Sequence, residues 1–198
     1  MWNHLSCNLL EVAYMKKMKK TIAILCMFLI CIQLITIVAS AKITVPSKLP
    51  TLRRGEKSNY FVKVMQMMLV HSNGADLDCT GTFGSKTEKE VKKFQKKYDL
   101  DVDGIVGPKT WSKLLSKCKL KENDKNDLVK LVQTILNEYR DKNGVKVYYC
   151  GKANGVFNSS TKKAVKLFQK EIIGDDDPTG IVDAKTWRYL LYFACGAY

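Results

Sequence analysis

The chain has 198 residues, of which 46% are hydrophobic and 26% charged, and its formal net charge is +14. That balance excludes a low-hydrophobicity disordered chain and, once a targeting segment is set aside, leaves room for one ordinary domain or two small ones. The basic excess suits an anionic polymer, a nucleic acid or a membrane surface, and charge alone does not choose among them.

The first element in chain order is a targeting segment. Lys16, Lys17, Lys19 and Lys20 precede an apolar run over residues 21–38, followed by Ala39-Ser40-Ala41. A basic region, an apolar stretch and a small-x-small site in that order read as a secretory signal peptide over residues 1–41, cleaved after Ala41. The apolar run is also about as long as a membrane span, so an uncleaved anchor is the alternative. Cys31 follows Ile30, not the small residue that a lipoprotein signal needs before its cysteine. Because residues 1–14 lie upstream of the lysines, Met15 or Met18 is an alternative start. Export directs the protein to a secreted, wall-associated or membrane-anchored location, argues against nucleic acid as partner, and makes disulfides the default for the four remaining cysteines.

Beyond residue 41 a repeat organises the chain. Gly81-Thr82-Phe83, Thr87, Val91 and Phe94-Gln95 recur as Gly155-Val156-Phe157, Thr161, Val165 and Phe168-Gln169, at an offset of 74 residues. Gly104-Ile105-Val106, Thr110-Trp111 and Leu114-Leu115 recur as Gly180-Ile181-Val182, Thr186-Trp187 and Leu190-Leu191, at an offset of 76, and the two extra residues are expected in a loop. Upstream, Val62, Gln66 and Leu69 match Val129, Gln133 and Leu136 at an offset of 67. These matches predict a leader over 42–51, a first module over 52–117, a linker over 118–126 and a second, diverged module over 127–193.

Each module reads as three short helices, so the fold class is mostly α. Phe61, Val64, Met65 and Met68 keep the spacing of one buried helical face, as do Leu128, Leu131, Val132 and Ile135. The second helix opens with Ser85-Lys86-Thr87-Glu88, the pattern of a capping box. The third begins at Pro108 in one copy and after Asp183, a better N-cap than Gly107, in the other. Gly81, Gly104, Gly155 and Gly180 mark the turns, and segments near Phe83 and Ile105-Val106 are candidates for a small β-bridge. Modules of this size are marginal without a staple, and the symmetric pairing of the cysteines is Cys79–Cys118 with Cys150–Cys195. No C-x-x-C spacing occurs and residues 42–198 hold one histidine, His71, so neither a metal nor another cofactor is expected.

Leu52-Arg53-Arg54-Gly55, Val62-x-x-x-Gln66-x-x-Leu69, Gly81-x-Phe83-Gly84, Phe94-Gln95 and Asp103-Gly104-Ile105-Val106-Gly107-Pro108-x-Thr110-Trp111 together resemble the three-helix peptidoglycan-binding domain that accompanies bacterial wall hydrolases. The second copy is similar but departs at the turns, with Glu122 taken for the opening glycine, Asn154-Gly155, Thr179-Gly180 and Asp183. The resemblance implies a shallow groove beside the loops that carry Arg53, Arg54 and Tyr60 and the Asp103-Gly104 turn. There an arginine suits a stem-peptide carboxylate and a tyrosine suits a sugar face. Gln66 either joins that site or, like Gln95, Gln133 and Gln169, hydrogen-bonds loop backbone. The aromatic residues Phe83, Phe94 and Trp111 read as core.

The partners so implied are peptidoglycan glycan strands and stem peptides. Anionic wall polymers would be drawn to the lysine stripes Lys89, Lys92, Lys96 and Lys163, Lys166, Lys170. No nucleophile, metal site or H-E-x-x-H or G-x-S-x-G motif stands out, so the chain reads as a non-catalytic binder. The alternative is an accessory subunit for a separate wall hydrolase, or the remnant of a cell-wall or spore-cortex hydrolase.

Overall fold

A computed structural model describes residues 49–57, 59–141 and 143–194. The expected signal segment 1–41, most of the leader and Cys195 lie outside the described residues. Six α-helices follow in order: α1 (Tyr60–Asn73), α2 (Ser85–Lys97), α3 (Pro108–Lys117), α4 (Asp127–Glu138), α5 (Ser159–Phe168) and α6 (Ala184–Ala194). The first three form one module and the last three its copy. Within the modules α1 packs on α2 and α3, and α4 packs on α5 and α6; across them α1 meets α4 and α3 meets α6. The buried apolar residues form one continuous core through both modules. Among the described residues no helix is long and apolar enough to cross a membrane.

The helix boundaries follow local chemistry. Asn59 caps α1 by accepting from the amides of Phe61 and Val62, and Gly74 closes that helix in the left-handed region at φ 64°. Pro108 begins α3 behind Gly107. Asp183 caps α6, its carboxylate accepting from the Thr186 amide at 2.7 Å. The capping box read at Ser85 is not formed: Gly84 is the N-cap, without a side-chain bond, and Glu88 turns outward to Lys92 and Arg54. Two opposite charges outcompete a single backbone amide for that carboxylate.

The two extra residues of the second module do not both fall in a loop. The chain leaves α5 through a π-helical turn, Gln169–Ile173, ended by Gly174 at φ 66°. In the first module Asp99, at φ 53°, holds the matching left-handed position four residues after Gln95, whereas Gly174 comes five after Gln169. One residue is therefore absorbed as a helical bulge, as single insertions in helices are, and only the other lengthens the loop before Gly180.

The stretch 118–126, read from the sequence as a linker, carries regular pairing. Leu120 bridges Val182 as Leu52 bridges Val106, and Asn123 and Asp124 bond to Phe157 as Gly55 and Glu56 bond to Phe83. The Trp187 indole donates to the carbonyl of Cys118 at 2.7 Å, repeating the bond of Trp111 to Pro50 at 2.8 Å. The register of this segment places Asn123, with φ 79°, at the position of Gly55, with φ 102°. Asn123, not Glu122, thus stands for the opening glycine, and asparagine tolerates that conformation.

The expected Cys79–Cys118 bridge is absent, and both are free thiols. Cys118 is buried and directs its sulfur to the carbonyl of Met68, beside Ser72, late in α1. Cys79 turns its sulfur to the carbonyl of Leu77 in its own loop, so the two sulfurs have different partners. Cys150 is also a free thiol, held by Asn137 and Gln133; its expected partner Cys195 lies outside the described residues. Burial pushes the Cys118 thiol up to about 12 from an ordinary value of 9.0. The neutral thiol is favoured by the fold, so this contribution to stability is complete below pH 9 and is lost as pH rises toward 12. Alkylation of the folded protein at pH 8 is expected to label Cys79 and to reach Cys118 only after denaturation. Rapid native labelling of Cys118 in peptide maps would show that its site opens.

Candidate functional site

Four glutamines build the turns on which any site must rest. Gln66 accepts from the Gly81 amide at 3.0 Å and donates to the Thr82 carbonyl and the Thr87 hydroxyl at 3.0 and 2.9 Å. Gln95 does the same with Gly104, Ile105 and Thr110 at 2.9, 2.9 and 3.3 Å. Gln133 serves Gly155, Val156 and Thr161, and Gln169 serves Gly180, Ile181 and Thr186. In each case one helix grips a glycine-led turn and the threonine that starts the next helix. All four side chains are buried, so Gln66 is a structural latch with no surface left for a ligand.

The other residues read as a site separate into two places. Arg54 and Gly104 gather at the N-terminal half of α2, against Glu88 and Lys92, and Asp103 lies farther along it against Gln95. The Arg54 guanidinium lies 3.5 Å from Glu88, with its side chain 65% exposed, and Lys92 reaches the other oxygen of Glu88 at 2.7 Å. These two cations, Lys92 first, hold the Glu88 carboxyl below its usual range. Gly104 is buried beneath them at φ 76°; a Cβ there would stand 2.8 Å from Lys92 Cε and 2.9 Å from Glu88 Cγ, so only glycine lets the turn close on α2. Asp103 accepts from Gln95 and from the Ile105 amide, both at 2.8 Å. Arg53 is exposed beside this corner, its amide bonded to Glu56.

A shallow groove of about 390 Å³ continues from Glu88 along Lys89, Lys92, Lys93 and Lys96, with the exposed side chain of Val102 on its far wall. Tyr60 sits elsewhere. It lines a cleft of about 470 Å³ between α1 and α4, with Lys63, Met67, Asp127, Lys130 and Leu131. Phe83, Phe94 and Trp111, with Phe157, Phe168 and Trp187, are all core residues.

The second module repeats the Arg54 corner with its charges exchanged. In the register set by the β-bridges Glu122 replaces Arg54, Lys162 replaces Glu88, and their pair closes at 2.8 Å. Gly180 lies under Lys162 and Lys166 as Gly104 lies under Glu88 and Lys92. Sequence reasoning missed this exchange, because one fewer residue between Leu120 and Asn126 than between Leu52 and Asn59 shifts the register there. Among the described residues no group of three or more His, Cys, Asp or Glu could hold a metal ion.

Comparison with known proteins agrees with this architecture. The model of the peptidoglycan binding domain family matches residues 58–114 and 125–190. A Bacillus licheniformis protein named probable N-acetylmuramoyl-L-alanine amidase is 50% identical over 48 residues, 24% of this chain and 12% of its own. A peptidoglycan-binding protein from Clostridioides difficile, solved in complex with glutamine hydroxamate, is 45% identical over 33% of this chain and 40% of that one, with a TM-score of 0.31. The Burkholderia AP3 phage endolysin is 36% identical over 44% of this chain and 33% of its own, with a TM-score of 0.32. The chain thus spans less than half the length of these relatives. With the family model matched at both modules and over more than half of the sequence, the chain belongs to the peptidoglycan binding domain family and carries its module twice in tandem.

Proposed function

We propose that this protein is exported and holds peptidoglycan through its tandem modules without cutting it. The observation that carries the reading is the family match at both modules. The first module supplies the surface: the groove on α2, with Arg54 on Glu88 at one end and Arg53 beside it, offers guanidinium groups to the carboxylates of stem peptides, and the Asp103-Gly104 turn packs against the same helix. Lysines along the groove add a long-range attraction to anionic wall polymers that fades with salt. The signal-like segment 1–41 supports a secreted or wall-associated location, or a membrane-anchored one if it stays attached.

Sedimentation with purified peptidoglycan tests this. The parent chain is expected to pellet with the polymer, and Arg53→Ala combined with Arg54→Ala to lower retention about tenfold, the scale of one charge-assisted hydrogen bond lost. Unchanged retention would remove both arginines from the site, and no pelleting of the parent would end the reading. Heat-labile release of soluble fragments would make the protein an enzyme.

A second reading follows from relatives named as an amidase and an endolysin: the chain delivers a separate wall hydrolase or descends from one. Co-purification with an exported lytic enzyme would favour it.

A further inference from the structure

We propose that the corner where α2 and α3 end together is a separate anion site that takes the phosphate groups of a phosphodiester polymer. The ammonium groups of Lys97, Lys113 and Lys117 lie 5.4, 5.6 and 5.0 Å from the centroid of one ring, that of Tyr98. Phe94 packs against the ring at 4.7 Å between centroids and fixes it in place. Among the described residues none of the three cations is within ion-pair distance of a carboxylate; Lys97 has a neutral partner, Asn73, at 3.0 Å. Other lysines of the same module are paired: Lys86 with Asp76, Lys92 with Glu88, Lys93 with Glu90 and Lys109 with Asp101.

Three unpaired ammonium groups around one ring repel each other over distances comparable to the screening length of physiological salt, about 8 Å. The ring face attracts each of them, and the helix C-termini favour Lys97 and Lys117. Neither effect demands three cations at one place. The fold does not demand them either. The corresponding positions of α6 in the second module hold Tyr189 and Phe193, and Phe193 packs on Phe168 there at 5.7 Å. A fourth charge from a ligand is what the first module lacks.

The donors are separate point charges without a guanidinium fork, which suits the several oxygens of a phosphate better than a planar carboxylate. A polymer, not a free ion, is favoured because Lys96, next to Lys97, lines the groove on α2, so the site continues into a basic track. This goes beyond the diffuse attraction described above, because it assigns the binding to one corner of one module, and it does not require peptidoglycan as a ligand.

The experiment measures binding of the full chain to immobilised poly(glycerol phosphate) across a salt series. Lys97→Gln, Lys113→Gln and Lys117→Gln together are expected to weaken binding and to reduce the slope of log affinity against log salt by about two, the value for three lost phosphate contacts on a single strand. Lys125→Gln, Lys152→Gln and Lys185→Gln remove the same charge from exposed positions beyond the first module and should leave that slope nearly unchanged. Three arginines in place of the first set should keep it. If the corner variant melts early, Lys113→Gln alone supplies the readout. Equal losses in the two triple variants would reduce the site to diffuse charge and overturn the proposal. So would equally tight binding of poly-glutamate, or binding only to phosphatidylglycerol vesicles. Retention on this polymer is read apart from retention on polymer-free peptidoglycan, so either interaction can fail alone.

Discussion

Replacing Gln95 with leucine is expected to cost about 3 kcal/mol or more of folding stability, read as a lower urea midpoint with an unchanged slope. The change leaves the buried Gly104 amide without an acceptor and takes the amide donor from the Ile105 carbonyl and the Thr110 hydroxyl, which keep only their 3.4 Å bond to each other. The orphaned amide costs about 1–3 kcal/mol and each of the other two lost bonds about 1 kcal/mol, whereas the new apolar contacts recover only part of that. Gln95→Glu is not a rescue, because a carboxylate can accept from Gly104 but cannot donate to Ile105, and it would face Asp103, whose oxygen lies 2.8 Å from the present amide. Lys96→Leu, an exposed neighbour, should change stability by no more than about 0.5 kcal/mol. A loss below about 1 kcal/mol for Gln95→Leu would mean that water fills the vacated place. The proposed binding groove should suffer with the fold, since the same turn carries Gly104 under Glu88 and Lys92.

That turn also marks how far the sequence could be read. The repeat, the apolar face of α1 and the helix starts at Pro108 and Asp183 are local patterns, and the fold follows them. The latch was half legible: the amide chemistry of four recurring glutamines suggested backbone bonding at loops, but that each also holds the next helix's threonine is a tertiary fact. Glu88 was misread because capping is judged within four residues, while its partner Arg54 lies in another loop. The free thiols of Cys79 and Cys118 find different partners, the Leu77 carbonyl in one loop and the Met68 carbonyl on α1, which pairwise symmetry does not encode. The lysines around Tyr98 were invisible for the same reason, since Lys97 and Lys113 belong to different helices that meet only on folding.

Trp187→Ala is expected to lower stability by about 3–5 kcal/mol, the range for truncating a large buried aromatic, and to do so for both modules at once. Trp187 is fully buried in the second module, yet its indole donates to the carbonyl of Cys118, the C-cap of α3 in the first. Removing it therefore opens a cavity in one bundle and frees the end of the last helix of the other. Because α1 packs on α4 and α3 on α6 within one continuous core, neither module has a separate hydrophobic interior to retain. Unfolding of the parent should be a single transition, with circular dichroism and tryptophan fluorescence changing together, and in Trp187→Ala combined with Trp2→Phe the fluorescence left is that of Trp111 in the first module. Trp187→Ala should move that whole transition to lower denaturant. Two separate transitions, with the first module unshifted by Trp187→Ala, would show instead that the modules fold independently and that tandem binding arises from two sites on a flexible tether rather than from one rigid body.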